Sequence, residues 1–311
     1  MTAIEVAPGV RALDLWDRGR AEHTSGYFIN APRPALVDTG AARSVRVWLE
    51  AFAEMGIAPS EIAYVIVTHI HLDHAGGAGA LLRHLPAAQV VVHRHGARHL
   101  TDPSRLIAGA RQVFGEHLEE YFGVPDAVPE TRLLVPDPQA GVDLGGGHRL
   151  RFFDAPGHAR HQHMILDTAG GCLFSGDELG GRYLSVASDY VLPDAAPNQF
   201  DPEAMLRSAR LACELRPEAL LFAHFGRYPR DCGTLRQRLE EQVNAFVALG
   251  RTDAGPAARE QVHARLIEHV QRDLTARGLS WTPAVEEVLA DHLEVSAQGI
   301  ADYHERRAAG R

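Results

Sequence analysis

The stretch Tyr64 to Gly77, Y-V-I-V-T-H-I-H-L-D-H-A-G-G, constrains this chain more than any other. Tyr64, Val65, Ile66 and Val67 are apolar and largely β-branched, which predicts a buried strand. The run stops at Thr68 and gives way to the small residues Ala75, Gly76 and Gly77. Between them, His69, His71, Asp73 and His74 share one strand-to-helix loop. Imidazole nitrogens and a carboxylate are donors that borderline divalent cations accept, and a strand end presents them without reorganisation. His69 and His71 alternate by two and leave the strand on the same side. Asp73 and His74 are adjacent and point apart, so they can serve two different metals.

The segment T-H-I-H-L-D-H-A-G-G resembles the H-x-H-x-D-H signature of the metallo-β-lactamase-fold superfamily of hydrolases. That resemblance implies an α+β fold, an αββα four-layer sandwich, and a dinuclear metal site. In the family pattern His69 and His71, with a later histidine, hold one metal. Asp73 and His74, with a last histidine, hold the other, and a second Asp bridges the two. The later elements are found in order along the chain. Ala155-Pro156-Gly157-His158 resembles the P-G-H that supplies the third histidine, with Pro and Gly setting a tight turn. Phe174-Ser175-Gly176-Asp177 resembles the strand-then-G-D element, which makes Asp177 the bridging carboxylate. Ala219 to Phe222 reads as a buried strand that runs into His224 and Gly226, and His224 fits the last ligand. From His74 to His158, to Asp177 and to His224 the spacings are 84, 19 and 47 residues. The last two suit the family's layout, and a helical insertion enlarges the first. Val37-Asp38-Thr39-Gly40 resembles the family's D-T-G, so Asp38 is expected to brace the metal loop by hydrogen bonds. His161 and His163, three and five residues after His158, are assigned no metal by the family pattern and are expected to orient ligands or contact substrate.

With 311 residues, 45% hydrophobic and 23% charged, the composition is that of an ordinary soluble globular protein. No apolar stretch reaches membrane-spanning length, and Met1-Thr2-Ala3-Ile4-Glu5-Val6 lacks the regions of a signal peptide, so a cytoplasmic location and no membrane partner are expected. Cys172, Cys213 and Cys232 are too few and too scattered for a disulfide framework and read as packing residues. A net charge of −9 argues against a nucleic-acid partner, since phosphate neutralisation needs a basic surface. Every basic residue counted under Lys+Arg is arginine, which excludes lysine nucleophiles, Schiff bases and P-loops.

Taken in order, residues 11–40 read as strands, and Ala41 to Met55 carries a helical stripe of Val45, Val47, Trp48, Ala51, Phe52 and Met55 closed by Gly56. Gly77 to Leu85 reads as a helix and Gln89 to His93 as the next buried strand. His93, His95 and His99 form a second histidine cluster without a carboxylate at ligand spacing, and supporting or cavity-wall roles are expected of them. From Pro103 to Phe122 the spacing suits one or two amphipathic helices, and residues 93–150 carry six arginines against eight acids. Strands return between Leu133 and Asp167. Beyond Arg230 three helical stripes follow, with Thr282-Pro283 a start signal for the last and Ala254-Gly255-Pro256 a boundary before it. The expected organisation is a catalytic domain over 1–229, with a helical insertion about 93–132, and a helical extension over 230–311. That extension can serve as a substrate lid, a homodimer surface or plain cover for the sheet.

The resemblance implies two divalent ions, best suited by zinc, with iron or manganese compatible, and a metal-bridging hydroxide that attacks a small-molecule substrate. Asp73 both ligates and handles protons. A thioester or related carboxylic ester, as in the glyoxalase II-like branch, is the favoured substrate. Asp177 stands where β-lactamases commonly have Cys or leave the bridge out. The acyl-homoserine lactonases carry a Tyr three residues after the bridging Asp, where this chain has Gly180, with Tyr183 the nearest substitute. A lactonase, a phosphodiesterase and a single-iron persulfide dioxygenase remain as alternatives.

Overall fold

The computed structural model describes residues 3–137, 139–253 and 255–310. The chain forms two compact units: one of Met1–Asp154, His161–Gly176 and Pro217–Tyr228, the other of Ala155–Arg160, Asp177–Arg216 and Pro229–Arg311.

Two sheets make up the first unit. One runs in chain order through β1 (Ile4–Ala7), β2 (Val10–Asp14), β3 (Ser25–Ile29), β4 (Ala35–Val37), β5 (Tyr64–Ile66), β6 (Gln89–Val91) and β7 (Leu133–Leu134). Its first half is antiparallel, and from β4 to β7 the neighbours are parallel. Parallel neighbours need crossovers. These are α1 (Val45–Met55), then α2 (Leu72–Ala75) with α3 (Ala78–Leu82), then α4 (Ala97–Thr101), α5 (Ser104–Phe114) and α6 (Leu118–Phe122). The helix expected over Gly77 to Leu85 is therefore the shorter α3, preceded by the single turn of α2 that carries Asp73 and His74.

Alternation along β5 sorts its side chains between two cores. Val65 joins Trp48, Phe52 and Leu81 under the helices. Tyr64 and Ile66 face the other way, into a layer with Phe152, Ile165, Phe174 and Leu221. That layer belongs to the second sheet, whose strand order is β15 (Gly226–Arg227), β14 (Ala219–Phe222), β11 (Cys172–Phe174), β10 (His163–Asp167), β9 (His148–Asp154), β8 (Val142–Gly145). Burying each such large side chain contributes about 1.5–3 kcal/mol, so β5, buried on both faces, is a rigid base for the loop that follows it.

The second unit is mainly helical. After the short pair β12 (Gly181–Arg182) and β13 (Val191–Leu192) come α7 (Pro202–Glu214), α8 (Cys232–Leu249), the pair β16 (Arg251–Thr252) and β17 (Gly255–Pro256), α9 (Arg259–Ala276) and α10 (Pro283–Ala308). Leu235, Leu239, Val243 and Phe246 of α8 are buried with Val247 half-buried, and Val262, Leu266, Val270 and Leu274 of α9 are buried, so the first two stripes read from the sequence are packed faces. Of the third, Val285, Val288, Leu289 and Leu293, only the two leucines are buried. Thr282 caps α10 by accepting from Val285 N at 3.3 Å. Of the boundary expected at Ala254 to Pro256, Ala254 lies outside the described residues, and Gly255–Pro256 form β17.

One reading is corrected. Cys213 and Cys232 are not separate packing residues: they form a disulfide, with Cα atoms 5.4 Å apart. Their separation of 19 residues conceals that the end of α7 and the start of α8 meet. Cys172 is buried, as expected. Among the described residues no helix is long and apolar enough to cross a membrane.

Candidate metal centre

In the first unit the end of β5 is pinned from three directions. Val67 N donates to Val91 O at 3.0 Å, and His163 N donates to Thr68 O at 3.0 Å. Asp38 accepts from Thr68 N at 2.7 Å and from Thr68 Oγ1. Asp38 thus braces the loop, from a left-handed backbone conformation at φ 57°. Burial pushes its carboxyl up, while His74 and Thr68 oppose the shift. The loop then rests on the D-T-G turn, since Thr39 N donates to His74 O at 2.7 Å and Gly77 N to Gly40 O at 2.9 Å. A side chain at Gly76 would put its Cβ 2.3 Å from Leu72 O, which explains the small residues after His74.

On this base the donors converge. His69 Nε2 and His71 Nδ1 lie 3.1 Å apart. Asp73 Oδ2 lies 3.2 Å from His74 Nε2 and 3.4 Å from His224 Nε2. The other nitrogen of each of these rings has its own partner: His74 Nδ1 is 3.4 Å from Asp38 Oδ2, and His224 Nδ1 donates to His23 O at 2.7 Å. Such contacts select the tautomer that leaves Nε2 as the ligand atom. Burial works to raise Asp73, but His74 and His224 outweigh it and hold the carboxyl well below the usual range. Each of Asp73, His74 and His224 offers one ligand atom, and these three atoms lie within 4.8 Å of one another. A carboxylate and two imidazoles at that spacing fit a divalent cation.

His161 stands beside this group, its ring centre 5.2 Å from that of His71 and 6.2 Å from that of His69. His163 Nε2 donates to Val67 O at 2.9 Å. Desolvation, with His93 nearby, pulls its imidazole down to about 3, so it is neutral. The cluster His93, His95 and His99 has other partners. His93 Nε2 contacts Asp154 Oδ1 at 3.1 Å, its Nδ1 accepts from His95 N at 3.2 Å, and His99 Nε2 accepts from Arg98 Nε at 3.2 Å.

In the second unit Glu178, fully buried, accepts from Gly157 N at 3.0 Å and His158 N at 2.9 Å, which holds the P-G-H turn. His158 Nδ1 donates to Asp194 O at 3.0 Å and lies 3.4 Å from Asp194 Oδ1, leaving Nε2 3.6 Å from Asp177 Oδ2. Burial alone would lower His158, yet Asp194 and Asp177 raise it to about 9. Tyr183 is buried with its ring 5.3 Å from His292, and burial near Asp194 and Asp177 pushes its phenol well up.

The first unit therefore brings together His69, His71, Asp73, His74 and His224, with Asp38 and His161 alongside. The second brings together His158 and Asp177, with Tyr183 near. Three residues that hold His224, His158 or its turn had drawn no role from the sequence: His23, Glu178 and Asp194. Glu178 was visible as the acid directly after Asp177, whereas His23 acts through a backbone carbonyl, which carries no residue signature, and Asp194 through a carbonyl together with a carboxylate 36 residues from His158.

Residues 20–224 match the family model described as the metallo-beta-lactamase superfamily. Among curated proteins, the chain is 28% identical over 248 residues to the metallo-beta-lactamase fold-containing protein ST1585 of Sulfurisphaera tokodaii, covering 76% of this chain and 91% of that one. It is 29% identical over 188 residues to diflavin flavoprotein A 1 of Synechocystis, covering 57% of this chain but only 28% of the relative. Among solved structures, the metallo-beta-lactamase family protein TTHA1429 from Thermus thermophilus superposes with a TM-score of 0.69 at 20% identity, covering 98% of this chain and 95% of that one.

Proposed function

Because the chain belongs to the metallo-beta-lactamase superfamily, we propose that it is a metal-dependent hydrolase with a dinuclear centre. In this reading His69, His71 and His158 hold one cation, Asp73, His74 and His224 the other, and Asp177 is shared. The observation that carries it is the convergence of Asp73, His74 and His224 on one loop and one strand end, with ligand atoms within 4.8 Å of one another. Zinc suits the mixed imidazole and carboxylate donors best, and iron or manganese is compatible with them. Two such cations, when bound, supply Lewis acidity and lower the pKa of water towards neutrality.

The chain's own residues do the rest. His23 O and Asp194 O each accept a ligand histidine's Nδ1–H and so aim its Nε2. Asp73, held ionised, can accept a hydrogen bond from the attacking water and pass a proton to the leaving group. His161, beside His69 and His71, is placed to contact substrate or steady those ligands.

The substrate in this reading is a thioester or related carboxylic ester. Its support is chemical: a net charge of −9, a helical insertion with no basic excess to dock a polyanion, and Gly180 where the lactonases carry Tyr. The test is reconstitution of metal-free protein, followed by elemental analysis and turnover of a thioester, a simple ester, a lactone and a phosphodiester. About two ions per chain and fastest turnover of the thioester are expected. Preferential phosphodiester or lactone cleavage overturns the substrate class. One iron per chain with oxygen uptake on glutathione persulfide overturns the hydrolase.

A further inference from the structure

The loop between β13 and α7 cradles His158 from one side and is gripped by the C-terminal helix from the other. On its inner side Asp194 O accepts from His158 Nδ1 at 3.0 Å, Gln199 Oε1 accepts from Arg160 N at 3.1 Å, and Asp201 N donates to Gly157 O at 2.8 Å. Each of these three bonds goes to His158 or to a residue one or two positions from it. On the outer side, Ala195 N donates to Ser296 Oγ at 3.5 Å, Asn198 N to Asp302 Oδ2 at 2.9 Å, and Arg306 Nη2 to Phe200 O at 2.8 Å. Ser296, Asp302 and Arg306 fall on one face of α10, and Gly299 lies on the same face. A Cβ on Gly299 would sit 1.9 Å from Ala195 O, so the helix presses its backbone against the loop at the residue after Asp194.

We propose that α10 is a positioning element of the metal centre, which aims His158 by clamping the backbone of residues 194–200 through Ser296, Gly299, Asp302 and Arg306. This gives the C-terminal extension a task at the site. The proposal rests on reading His158 as a ligand. Backbone carbonyls that accept from a ligand histidine govern its tautomer and aim, and loss of such support costs ~10–100-fold in metal affinity. The clamp is independent of loop sequence, because two of its bonds reach backbone N–H groups and one reaches a carbonyl.

The test compares four proteins with the parent: Asp302→Ala combined with Arg306→Met, Asp302→Ala alone, Asp302→Asn, and His158→Ala. Metal-free samples are checked for secondary structure and melting, then titrated with Co2+ against a competing chelator, with the visible absorption spectrum recorded. His158→Ala identifies the ion that His158 holds. Asp302→Ala, alone and with Arg306→Met, is expected to weaken that same ion ~10-fold or more and to alter its absorption bands. Asp302→Asn, which keeps an acceptor for Asn198 N–H, is expected to restore both. If His158→Ala loses an ion while the Asp302 and Arg306 variants bind both with parental affinity and spectrum, α10 is only cover and the proposal falls. If His158→Ala keeps both ions, the ligand reading fails, and the proposal with it. Should the double variant not fold, Asp302→Ala alone decides, because its loss removes one exposed-side bond from an intact helix.

Discussion

Replacing Asp177 with Asn removes one negative charge and keeps the side chain's shape, so it isolates what a shared carboxylate does for two nearby dications. In the proposed centre that charge offsets the repulsion between two dications, which at ~4 Å is on the order of 15 kcal/mol at an effective dielectric of about 20. Affinity for one ion should fall, and ester hydrolysis should drop by orders of magnitude. The metal-free fold should survive, since Cys172, Leu173 and Phe174 just before it are buried in the sheet. His161→Ala should keep both ions and change only rate or substrate preference, because in the proposed reading its ring stands beside the ligand rings of His69 and His71 without being one of them. Elemental analysis and steady-state kinetics on the two variants check this. An Asp177→Asn protein with both ions and parental turnover, or an His161→Ala protein short of one, would sink the ligand assignment at that position.

At the scale of elements, the Cys213–Cys232 bond joins the end of α7 to the start of α8. The segment it closes holds β14 and His224, so the covalent loop encloses the strand that delivers the last proposed ligand. A loop of this length restrains the unfolded chain by about 3 kcal/mol in the chain-entropy account. Cys213→Ser should therefore lower the melting temperature by several degrees, and a reductant should do the same to the parent and nothing further to the variant. Thiol titration in denaturant gives the independent check: one reactive thiol, Cys172, before reduction and three after. Three thiols without reduction would show that the pair is not joined.

For the molecule as a whole, acid stability should turn on His163. Its ring is buried in the first unit and its imidazole is pulled down to about 3, against an unfolded value near 6.5. Between those values the unfolded chain binds a proton that the folded one refuses. The unfolded state thus holds more protons, and stability falls as pH drops from about 6.5 towards 3. A shift of that size is worth on the order of 5 kcal/mol. His163→Gln, which cannot titrate, should flatten the slope of stability against pH in that window, read by urea denaturation at a series of pH values. A variant as acid-sensitive as the parent would move the cause to other groups.

Much of this was legible in the residues, and the reason is local. Tyr64 and the β-branched residues 65–67, followed by four potential donors in six positions, point to a buried strand that ends in a donor-rich loop. The helical stripes beyond Arg230 are amphipathic by spacing alone, and they became the packed faces of α8 and α9. Even the unread α7 had left its mark in Asp201-Pro202, a cap and first-turn pair whose carboxylate accepts from Ala204 N at 2.8 Å. Tertiary structure alone decided which groups aim the proposed ligands. His23 O and Asp194 O are backbone atoms, the same in every residue type, and what makes them partners of His224 and His158 is a meeting of segments 201 and 36 residues apart in sequence. The pairing of Cys213 with Cys232 is of the same kind. Side-chain chemistry and periodicity are written residue by residue, but a contact between distant backbones exists only once burial of the apolar faces has brought them together.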